Sequence, residues 1–311
     1  MRKEETIMAK VDANGIQIEY ETFGEPDSPA LLLIIGLSLQ LIDWDEKLCH
    51  QLAQQGHYVI RFDNRDTGLS SKIEEAGVPD VMKTIEAMMK GETINPPYTI
   101  EDMAADSVGL LDALGIEKAH ICGMSMGGMI AQTIALNYPK RVLSLISIFS
   151  DTGDPEDPKP KPEVMGFFLT PPPEEREAYI EFAIKLSNAL SGPGFTYDPE
   201  WLRKHMARAY DRSFCPQGVP RQLVAILTQK NRKPALGSLS IPTLVIHGSD
   251  DPLVSVECGK NTAAAIPGAK LMIIEGMGHE LPDGGAWPQI IDAIIDHTHK
   301  VDLSVKKDNF R

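Results

Sequence analysis

The sequence predicts an α/β protein with a mostly parallel central sheet, helices on both faces of the sheet and an inserted helical cap. Apolar strand patterns alternate with helical patterns over residues 15–149, and strand patterns resume after residue 241. Parallel strands need long crossover connections, which the intervening helices supply. The stretch between, residues 151–240, begins rich in proline and acidic residues and is then mainly helical. We therefore expect residues 1–150 and 241–311 to form one core domain, into which residues 151–240 are inserted as a cap.

Two kinds of strand pattern support the sheet. Residues 15–23 (GIQIEYETF) alternate polar and apolar side chains, as a half-buried strand does. Residues 30–35 (ALLLII) are uniformly apolar and lie between Pro29 and Gly36, which is typical of a strand covered on both faces. Further strands are predicted at residues 57–62, 119–124, 142–149, 242–247 and 270–274.

Helical patterns occupy the segments between the strands. Residues 100–115 have helical periodicity, with Thr99 as a plausible N-cap and Gly115 as a plausible C-cap. Residues 71–97 form a polar, methionine-containing insertion that ends in a Pro-Pro turn. The other core helices are predicted at residues 44–55, 126–137 and 288–299.

The composition argues against a nucleic-acid or membrane partner. The 311 residues carry a formal net charge of −14, and a strongly acidic chain repels phosphate backbones and anionic membranes. No stretch approaches the roughly 20 apolar residues of a membrane-spanning helix. The first residues lack the apolar segment of a signal peptide. We expect a cytoplasmic protein that acts on a small molecule, and the sequence leaves its oligomeric state open.

The cysteines predict neither a disulfide framework nor a metal site. Cys49, Cys122, Cys215 and Cys258 are irregularly spaced, and no two of them form a C-x-x-C pair. Zinc sites and small disulfide scaffolds need closely patterned cysteines. We therefore expect no bound metal.

A nucleophile motif lies between a predicted strand and a predicted helix. Residues 123–127 are GMSMG, the G-x-S-x-G pattern with Ser125 at its centre. A serine on so sharp a turn needs small neighbours, which Gly123 and Gly127 provide, and Gly128 lets the helix pack closely on the sheet. The helix N-terminus directs its N–H groups and positive dipole end at the site, where they stabilise a developing negative oxygen. A dinucleotide-binding loop is a weaker interpretation, because Ser125 occupies the place of its middle glycine.

Three motifs together resemble the α/β-hydrolase superfamily. They are RFDNRDTGLS at residues 61–70, GMSMGG at residues 123–128 and GMGH at residues 276–279. The chain resembles in particular the branch that includes aclacinomycin methylesterase and many bacterial esterases. This resemblance covers nearly all of the core, and it implies hydrolysis of a carboxylic ester without a cofactor. Residues 61–70 are interpreted as a structural turn whose charged side chains bond within the loop.

His279 is the predicted general base. In α/β-hydrolases the acid and the histidine follow the serine along the chain. Three of the eight histidines precede Ser125, and the remaining candidates lie in the predicted cap, at a strand end or on the last helix: His205, His247, His297 and His299. His279 alone lies in a glycine-rich loop after a predicted strand, from which an imidazole can reach the strand ends.

The acid of the triad is less sharply defined. The loop after the predicted strand 242–247 contains two neighbouring aspartates, Asp250 and Asp251. Asp251 is preferred, because relatives have the spacing G-x-x-D and because Pro252 restricts the backbone of Asp251 to an extended conformation. Asp250 and then Asp151, which follows the strand after the nucleophile helix, are the alternatives.

The oxyanion hole is expected from two backbone N–H groups. One belongs to Met126, the residue after the nucleophile, and the other to Leu37, in the loop after the strand 30–35. Gly36 allows the tight turn of that loop and is expected beside the substrate. Many relatives have His-Gly where this chain has Ile35-Gly36.

The substrate pocket is the least defined part of the site. Trp44 either packs at a helix start or lines the acyl pocket. Aromatic residues of the cap either line an apolar pocket or form the cap's own core, since such side chains mostly go inside; they are Phe167, Phe168, Trp201 and Tyr210. Gly36, Trp44, Phe167 and Phe168 are the pocket residues that we predict.

The sequence thus predicts a serine esterase that forms an acyl-enzyme on Ser125, with His279 as base and Asp251 as the acid that orients it. The substrate is expected to be an apolar, small-molecule ester. Cofactor-free haloperoxidases, perhydrolases and carbon–carbon bond hydrolases use the same triad and remain alternatives. A non-catalytic binding protein of this fold is a further alternative, which the intact serine, acid and histidine disfavour.

Overall fold

A computed structural model describes residues 7–308 and contains one eight-stranded sheet. The strands are Ile7–Ala13 (β1), Ile16–Phe23 (β2), Ala30–Ile34 (β3), Tyr58–Phe62 (β4), Ala119–Met124 (β5), Val142–Ile148 (β6), Thr243–Gly248 (β7) and Lys270–Ile274 (β8). They lie in the order β1-β2-β4-β3-β5-β6-β7-β8. β2 pairs antiparallel with β1 on one side and with β4 on the other. From β4 onward, along the order β4-β3-β5-β6-β7-β8, each strand pairs parallel with its neighbour. The predicted α/β class with a mostly parallel sheet is therefore confirmed.

Helices connect the strands and cover both faces of the sheet. They are Glu46–Gln54 (α1), Val81–Met89 (α2), Ile100–Ala113 (α3), Met126–Asn137 (α4), Pro162–Leu169 (α5), Arg176–Leu190 (α6), Pro199–Arg212 (α7), Gly218–Leu227 (α8), Lys233–Leu236 (α9), Val256–Ala265 (α10) and Ala286–Asp308 (α11). Short 3₁₀ helices occur at Leu41–Asp43, Glu74–Ala76 and Pro139–Arg141. Across residues 7–308, no helix is both long enough and apolar enough to cross a bilayer.

The first strand is absent from the sequence prediction. β1 pairs with β2 through a tight turn at Asn14 and Gly15, whose φ angles are 49° and 79°. Positive φ at both central residues is typical of a type I′ hairpin turn, for which Asn-Gly is a strong sequence signal. The Asn-Gly pair was therefore the sequence signal from which β1 could have been predicted. β1 lies at the edge of the sheet, and its sequence contains charged residues.

Several helix ends differ from the prediction. The predicted helix 44–55 begins at Glu46, because Asp45 caps it by accepting from the N–H of Lys47. Thr99 caps α3 as predicted. The last helix continues to Asp308, well past the predicted end at residue 299. The insertion 71–97 contains α2, in which no residue is buried.

Two hydrophobic clusters cover the two faces of the sheet. Along β3, Leu32 and Ile34 belong to the cluster beneath α3 and α4, whereas Leu31 and Leu33 belong to the cluster beneath α1 and α11. Successive side chains of a strand point to opposite faces. The uniformly apolar run 30–35 follows from burial on both faces.

Five helices and no strand lie between β6 and β7 in this described part of the chain. The last two, α8 and α9, contribute Ala225 and Leu236 to the cluster beneath α3 and α4. The C-terminal part of the predicted cap thus packs in the core, while α6 and α7 pack on each other. A cap with the boundaries 151–240 remains a prediction.

The turn at residues 61–70 binds partners far along the chain as well as within itself. The carboxylate of Asp66 is fully buried and accepts from Arg221 of α8, at 2.7 and 2.8 Å, and from the hydroxyl of Tyr98 at 2.7 Å. Asp63 accepts from the guanidinium of Arg212 in α7 at 2.8 Å. The interpretation as a structural turn with bonds only within the loop is therefore too narrow, because these carboxylates also anchor α7 and α8 to the core.

Removal of the charge of Asp66 is expected to destabilise the fold. Asp66→Asn leaves the buried guanidinium of Arg221 without its counterion, and breaking one partner of a buried pair costs about 3–5 kcal/mol. Urea denaturation of the variant should show this as a lower free energy of unfolding.

Asp112→Asn is the matched control. Asp112 pairs with Arg141, but its side chain is 63% exposed, so the loss should stay under about 1 kcal/mol. Equal losses in the two variants would contradict the anchoring role of Asp66.

Candidate active site

The turn between β5 and α4 holds Ser125 in a strained backbone conformation. Its φ and ψ are 54° and −122°, a region in which a residue other than glycine costs about 1–3 kcal/mol. The surrounding strand fixes this conformation, since the N–H of Ser125 donates to the carbonyl of Ile148 at 2.9 Å. The carbonyl of Ser125 accepts from the hydroxyl of Ser150 at 2.8 Å. The side chain of Ser125 is thereby held at the carboxyl end of the sheet.

Three glycines around Ser125 leave no room for a side chain. A Cβ on Gly123 would lie 2.0 Å from the carbonyl oxygen of Gly127, and one on Gly127 would lie 2.2 Å from that of Ile34. A Cβ on Gly128 would lie 2.5 Å from the Cβ of Ser150. The first contact closes the turn, and the other two press α4 against the sheet.

His279 connects the serine to a carboxylate. Its Nε2 lies 2.9 Å from the Oγ of Ser125, and its Nδ1 lies 2.7 Å from an oxygen of Asp251. These residues are 154 and 28 positions from His279 along the chain. The ring of Phe149 packs 4.6 Å from the imidazole, so the histidine is 7% exposed.

The loop that carries His279 is fastened to the end of α6 through the backbone. The N–H of His279 donates to the carbonyl of Leu190 at 2.8 Å, and the N–H of Gly194 donates to the carbonyl of Gly276 at 2.9 Å. A Cβ on Gly278 would lie 2.2 Å from the carbonyl oxygen of Leu190. The glycines of the GMGH motif therefore let the backbone of this loop contact the backbone at the end of α6, which fixes the position of the His279 imidazole.

Asp251 is held by backbone groups as well as by His279. One of its oxygens accepts from the N–H groups of Leu253 and Val254 at 2.9 and 2.8 Å. Burial alone would raise the pKa of Asp251, but the charge of His279 and hydrogen bonds from His247 and His279 outweigh burial and lower it to about 2. The group is therefore a carboxylate at neutral pH.

The two alternative acids lie elsewhere. An oxygen of Asp250 accepts from the neighbouring hydroxyl of Ser249 at 2.6 Å. Asp151 accepts from the N–H of Gly153 at 2.7 Å. Among the three candidates, the structure brings only Asp251 into hydrogen-bond distance of His279.

A second histidine, to which the sequence patterns give no role at the site, contacts the same carboxylate. His247 is fully buried at the end of β7, and its Nε2 lies 2.8 Å from the carbonyl of Val254 and 3.4 Å from Asp251. Because a carbonyl only accepts, Nε2 carries the proton. His247 therefore presents an N–H to the same oxygen of Asp251 that His279 contacts. Its position four residues before the acid was the available sequence signal.

The two N–H groups predicted to bind the oxyanion belong to the loop after β3 and to the first residue of α4. Gly36 is close enough to the nucleophile that a Cβ there would lie 3.4 Å from the Cβ of Ser125. The N–H of Ser38 is taken by the side-chain oxygen of Gln222 at 2.9 Å. Within residues 7–308, the N–H groups of Leu37 and Met126 have no such acceptor. They are therefore free to bind a ligand oxygen.

A cavity of about 940 Å³ contains Ser125 and His279 in its wall. Gly36 and Phe168, two of the predicted pocket residues, line it. Phe167 lines an adjoining cavity of about 480 Å³, which shares Phe168 with the first. The prediction that Trp44 lines the pocket is wrong. Its side chain is fully buried in the cluster beneath α1 and α11, where it packs at the helix start, and it lines neither cavity.

One part of the cavity wall is polar. Asp43 pairs with Nε2 of His205 at 2.7 Å, and Glu280 accepts from the hydroxyl of Ser191 at 2.6 Å. Burial raises the pKa of Glu280 to about 7, against the opposing effect of hydrogen bonds from serine hydroxyls. A carboxyl with this behaviour directly follows His279 along the chain.

Comparison with known proteins places this geometry among hydrolases. Residues 29–286 match the family described as alpha/beta hydrolase fold. Rhodomycin D methylesterase DnrP from Streptomyces peucetius is 29% identical over 298 residues, which cover 89% of this chain and 93% of that protein. This similarity confirms the predicted resemblance to the methylesterase branch.

Solved structures show the same fold. An esterase from Thermogutta terrifontis superposes with a TM-score of 0.71 at 23% identity, over 95% of this chain and 99% of that one. The 2-hydroxy-6-oxo-6-phenylhexa-2,4-dienoate hydrolase from Rhodococcus sp. strain RHA1 superposes with a TM-score of 0.71 at 21% identity, over 96% and 100%. At these identities the likeness establishes the fold.

Substitution of Glu280 is expected to change stability in a pH-dependent way. Between the ordinary glutamate pKa of 4.5, which applies to the unfolded chain, and the folded value of about 7, the folded protein holds a proton that the unfolded chain has lost. Stability therefore falls as pH rises through this window. Glu280→Gln removes the ionisation and should be more stable than wild type at pH 8, by about 3 kcal/mol at 1.36 kcal/mol per pKa unit. The gap should close below pH 4.5, as measured by urea denaturation at both pH values.

Glu257→Gln provides the control, because it removes an exposed carboxylate on α10. Its unfolding free energy should stay within about 0.5 kcal/mol of wild type at both pH values. A gap for Glu280→Gln that does not depend on pH would contradict the ionisation of Glu280 as its cause.

Proposed function

This chain belongs to the alpha/beta hydrolase fold family, and on that premise we propose that it is a serine esterase whose nucleophile is Ser125. The observation that carries the proposal is the continuous hydrogen-bond chain from Ser125 through His279 to Asp251. Asp251 is ionised and only accepts, so Nδ1 of His279 carries the proton and Nε2 is left to accept from the serine hydroxyl. This is the tautomer that a general base requires.

The chemistry follows from that arrangement. Nε2 of His279 takes the proton of Ser125 while Oγ forms a bond to the ester carbonyl carbon, which gives a tetrahedral intermediate. Collapse of the intermediate breaks the bond to the alcohol, which leaves with the proton from His279, and Ser125 remains acylated. Water then attacks the acyl-enzyme by the same proton route and releases the carboxylic acid. Asp251 stabilises the imidazolium in both halves.

The free N–H groups of Leu37 and Met126 are assigned to the oxyanion. Met126 is the first residue of α4, so the positive end of the helix dipole adds to its N–H. Donors that are already aligned need no reorganisation when the negative charge develops, and losing one typically costs about 2.7–4 kcal/mol of transition-state stabilisation.

The proposed substrate is a small-molecule ester with an apolar body. The cavity around Ser125 is lined by many apolar side chains, among them Met129, Leu223 and Leu253. The rhodomycin D methylesterases are named for cleavage of a methyl ester, which supports a small leaving alcohol. An ester bond at Ser125 would place the larger acyl part in the cavity.

Hydrolysis of p-nitrophenyl esters of increasing acyl length tests the proposal. Ser125→Ala and His279→Ala should each lower kcat by at least about 10⁴-fold, and Asp251→Asn by about 10³- to 10⁴-fold. Asp250→Asn is the matched control, because it removes the neighbouring carboxylate, and it should stay within about twofold of wild type.

Two outcomes would overturn the assignment. A wild type that hydrolyses no ester, but oxidises halide with peroxide or cleaves a carbon–carbon bond, would replace the esterase with one of the other triad enzymes. A wild type that is not labelled at Ser125 by a tagged fluorophosphonate would indicate a binding protein.

A further inference from the structure

We infer that the cavity at Ser125 selects esters whose remote group is neutral or cationic, and that it rejects esters that carry a second, free carboxylate. This inference rests on the proposed function and specifies its substrate class. It is carried by the charged groups of the cavity wall, two of which have no basic partner among the described residues.

Acidic side chains outnumber basic ones in the wall of the cavity. Of the wall residues that the structure describes, Lys159 is the single lysine or arginine. Its ammonium already donates to the carbonyl of Pro155 at 2.8 Å. Five carboxyl groups share the wall: Asp43, Asp151, Asp154, Asp157 and Glu280.

Three of the five carboxylates have basic partners. Asp43 pairs with His205 at 2.7 Å, and Asp154 pairs with the ammonium of Lys233 at 2.7 Å. Asp151 lies 3.8 Å from the guanidinium of Arg232, behind the wall. These pairs largely cancel, so they attract neither anions nor cations strongly.

Asp157 has no such partner. It is 8% exposed, and one oxygen accepts from the side-chain amide of Asn261 at 2.6 Å. Its other oxygen is buried and has no hydrogen-bond partner in the described part of the chain. Burial and the nearby carboxylates of Asp151 and Asp154 raise the pKa of Asp157. A buried acceptor without a donor is costly. Asp157 belongs to the cavity wall and, among the described residues, has no cation paired with it, so its charge is not balanced locally.

Glu280 is the second carboxyl without a basic partner. Its carboxylate accepts from the hydroxyl of Ser191. In the described chain, no side-chain nitrogen of a lysine, arginine or histidine pairs with its carboxylate oxygens within 4.0 Å. It directly follows His279, so its charge acts close to the reacting ester. Two carboxyl groups of the wall therefore carry unbalanced charge.

The consequence for substrates is a matter of charge repulsion. A carboxylate that enters this cavity loses its water shell, finds no arginine to replace it and meets two unbalanced carboxyl groups. A hydroxyl group meets no such repulsion, and an ammonium group is attracted by the same carboxyl groups. Repulsion of the wrong ligand is a common route to specificity. The substrate class differs from that of the dienoate hydrolase with a similar fold, whose name describes a carboxylate.

A matched set of p-nitrophenyl esters separates these substrate classes. The acyl groups are hexanoyl, 6-hydroxyhexanoyl, 6-aminohexanoyl and the adipate half-ester, which share one chain length and differ in the terminal group. At pH 8, kcat/KM for the half-ester should be at least about tenfold below that for the hexanoate, while the hydroxy and amino esters should match or exceed it. Reduction of the effect at high salt is expected, because screening weakens charge repulsion.

A double variant and a control test whether the carboxyl groups of the cavity wall cause the discrimination against the half-ester. Asp157→Asn and Glu280→Gln together remove both unbalanced charges and should raise the ratio of half-ester to hexanoate kcat/KM by at least about threefold. Glu257→Gln removes one charge outside the cavity and should leave that ratio unchanged. The ratio is the readout, so a general loss of activity in the double variant does not imitate the result.

The outcomes distinguish this inference from the proposed function. Hydrolysis of the hexanoate that disappears in Ser125→Ala, together with equal or faster hydrolysis of the half-ester, would overturn the inference and leave the esterase intact. An unchanged ratio in the double variant would also overturn it. Absence of Ser125-dependent hydrolysis of all four esters would overturn the proposed function itself.

Discussion

The structure depends on a steric constraint at the end of β5, where the backbone must turn sharply at Ser125 with a positive φ. The turn is possible because Gly123 and Gly127 approach each other without side chains, and because Gly127 also touches the end of β3. The same contacts bring the Gly36 loop against the serine. Ser125, the N-terminus of α4 and the free N–H groups are therefore placed together by one packing requirement.

His279 and Asp251 are positioned in a different way, by hydrogen bonds that leave these side chains few other orientations. Asp251 receives two backbone N–H groups and faces two imidazoles, so its carboxylate has few other orientations. The loop of His279 is fixed by a backbone hydrogen bond from its N–H to the carbonyl of Leu190 at the end of α6. The end of α6 therefore helps to position His279, and movement of that segment would alter the distance between His279 and Ser125.

The helices between β6 and β7 are held to the core by apolar contacts of α8 and α9 and by buried charged pairs. Asp63 and Asp66, in one turn of the core, bind Arg212 and Arg221 of α7 and α8. The cavity beneath these helices is apolar around the serine, but two of its carboxyl groups remain without basic partners. Charge thus serves two purposes here: balanced buried pairs attach the helices, and unbalanced carboxyl groups in the wall bear on the choice of substrate.

The sequence by itself determined the parallel sheet, most of its strands and the turn at Ser125, and it indicated the loops that carry His279 and Asp251, because these follow from local patterns: apolar runs, caps and glycines at fixed spacing. It missed β1 and misplaced Trp44, since edge pairing and the side on which an aromatic ring packs depend on distant neighbours. The choice of Asp251 over Asp250 and Asp151, the contact of His247, and the charge balance of the cavity were decided only by tertiary structure. Residues far apart in the chain, such as Asp157 and Asn261 or Asp66 and Arg221, acquire or lack partners only when the helices fold over the sheet.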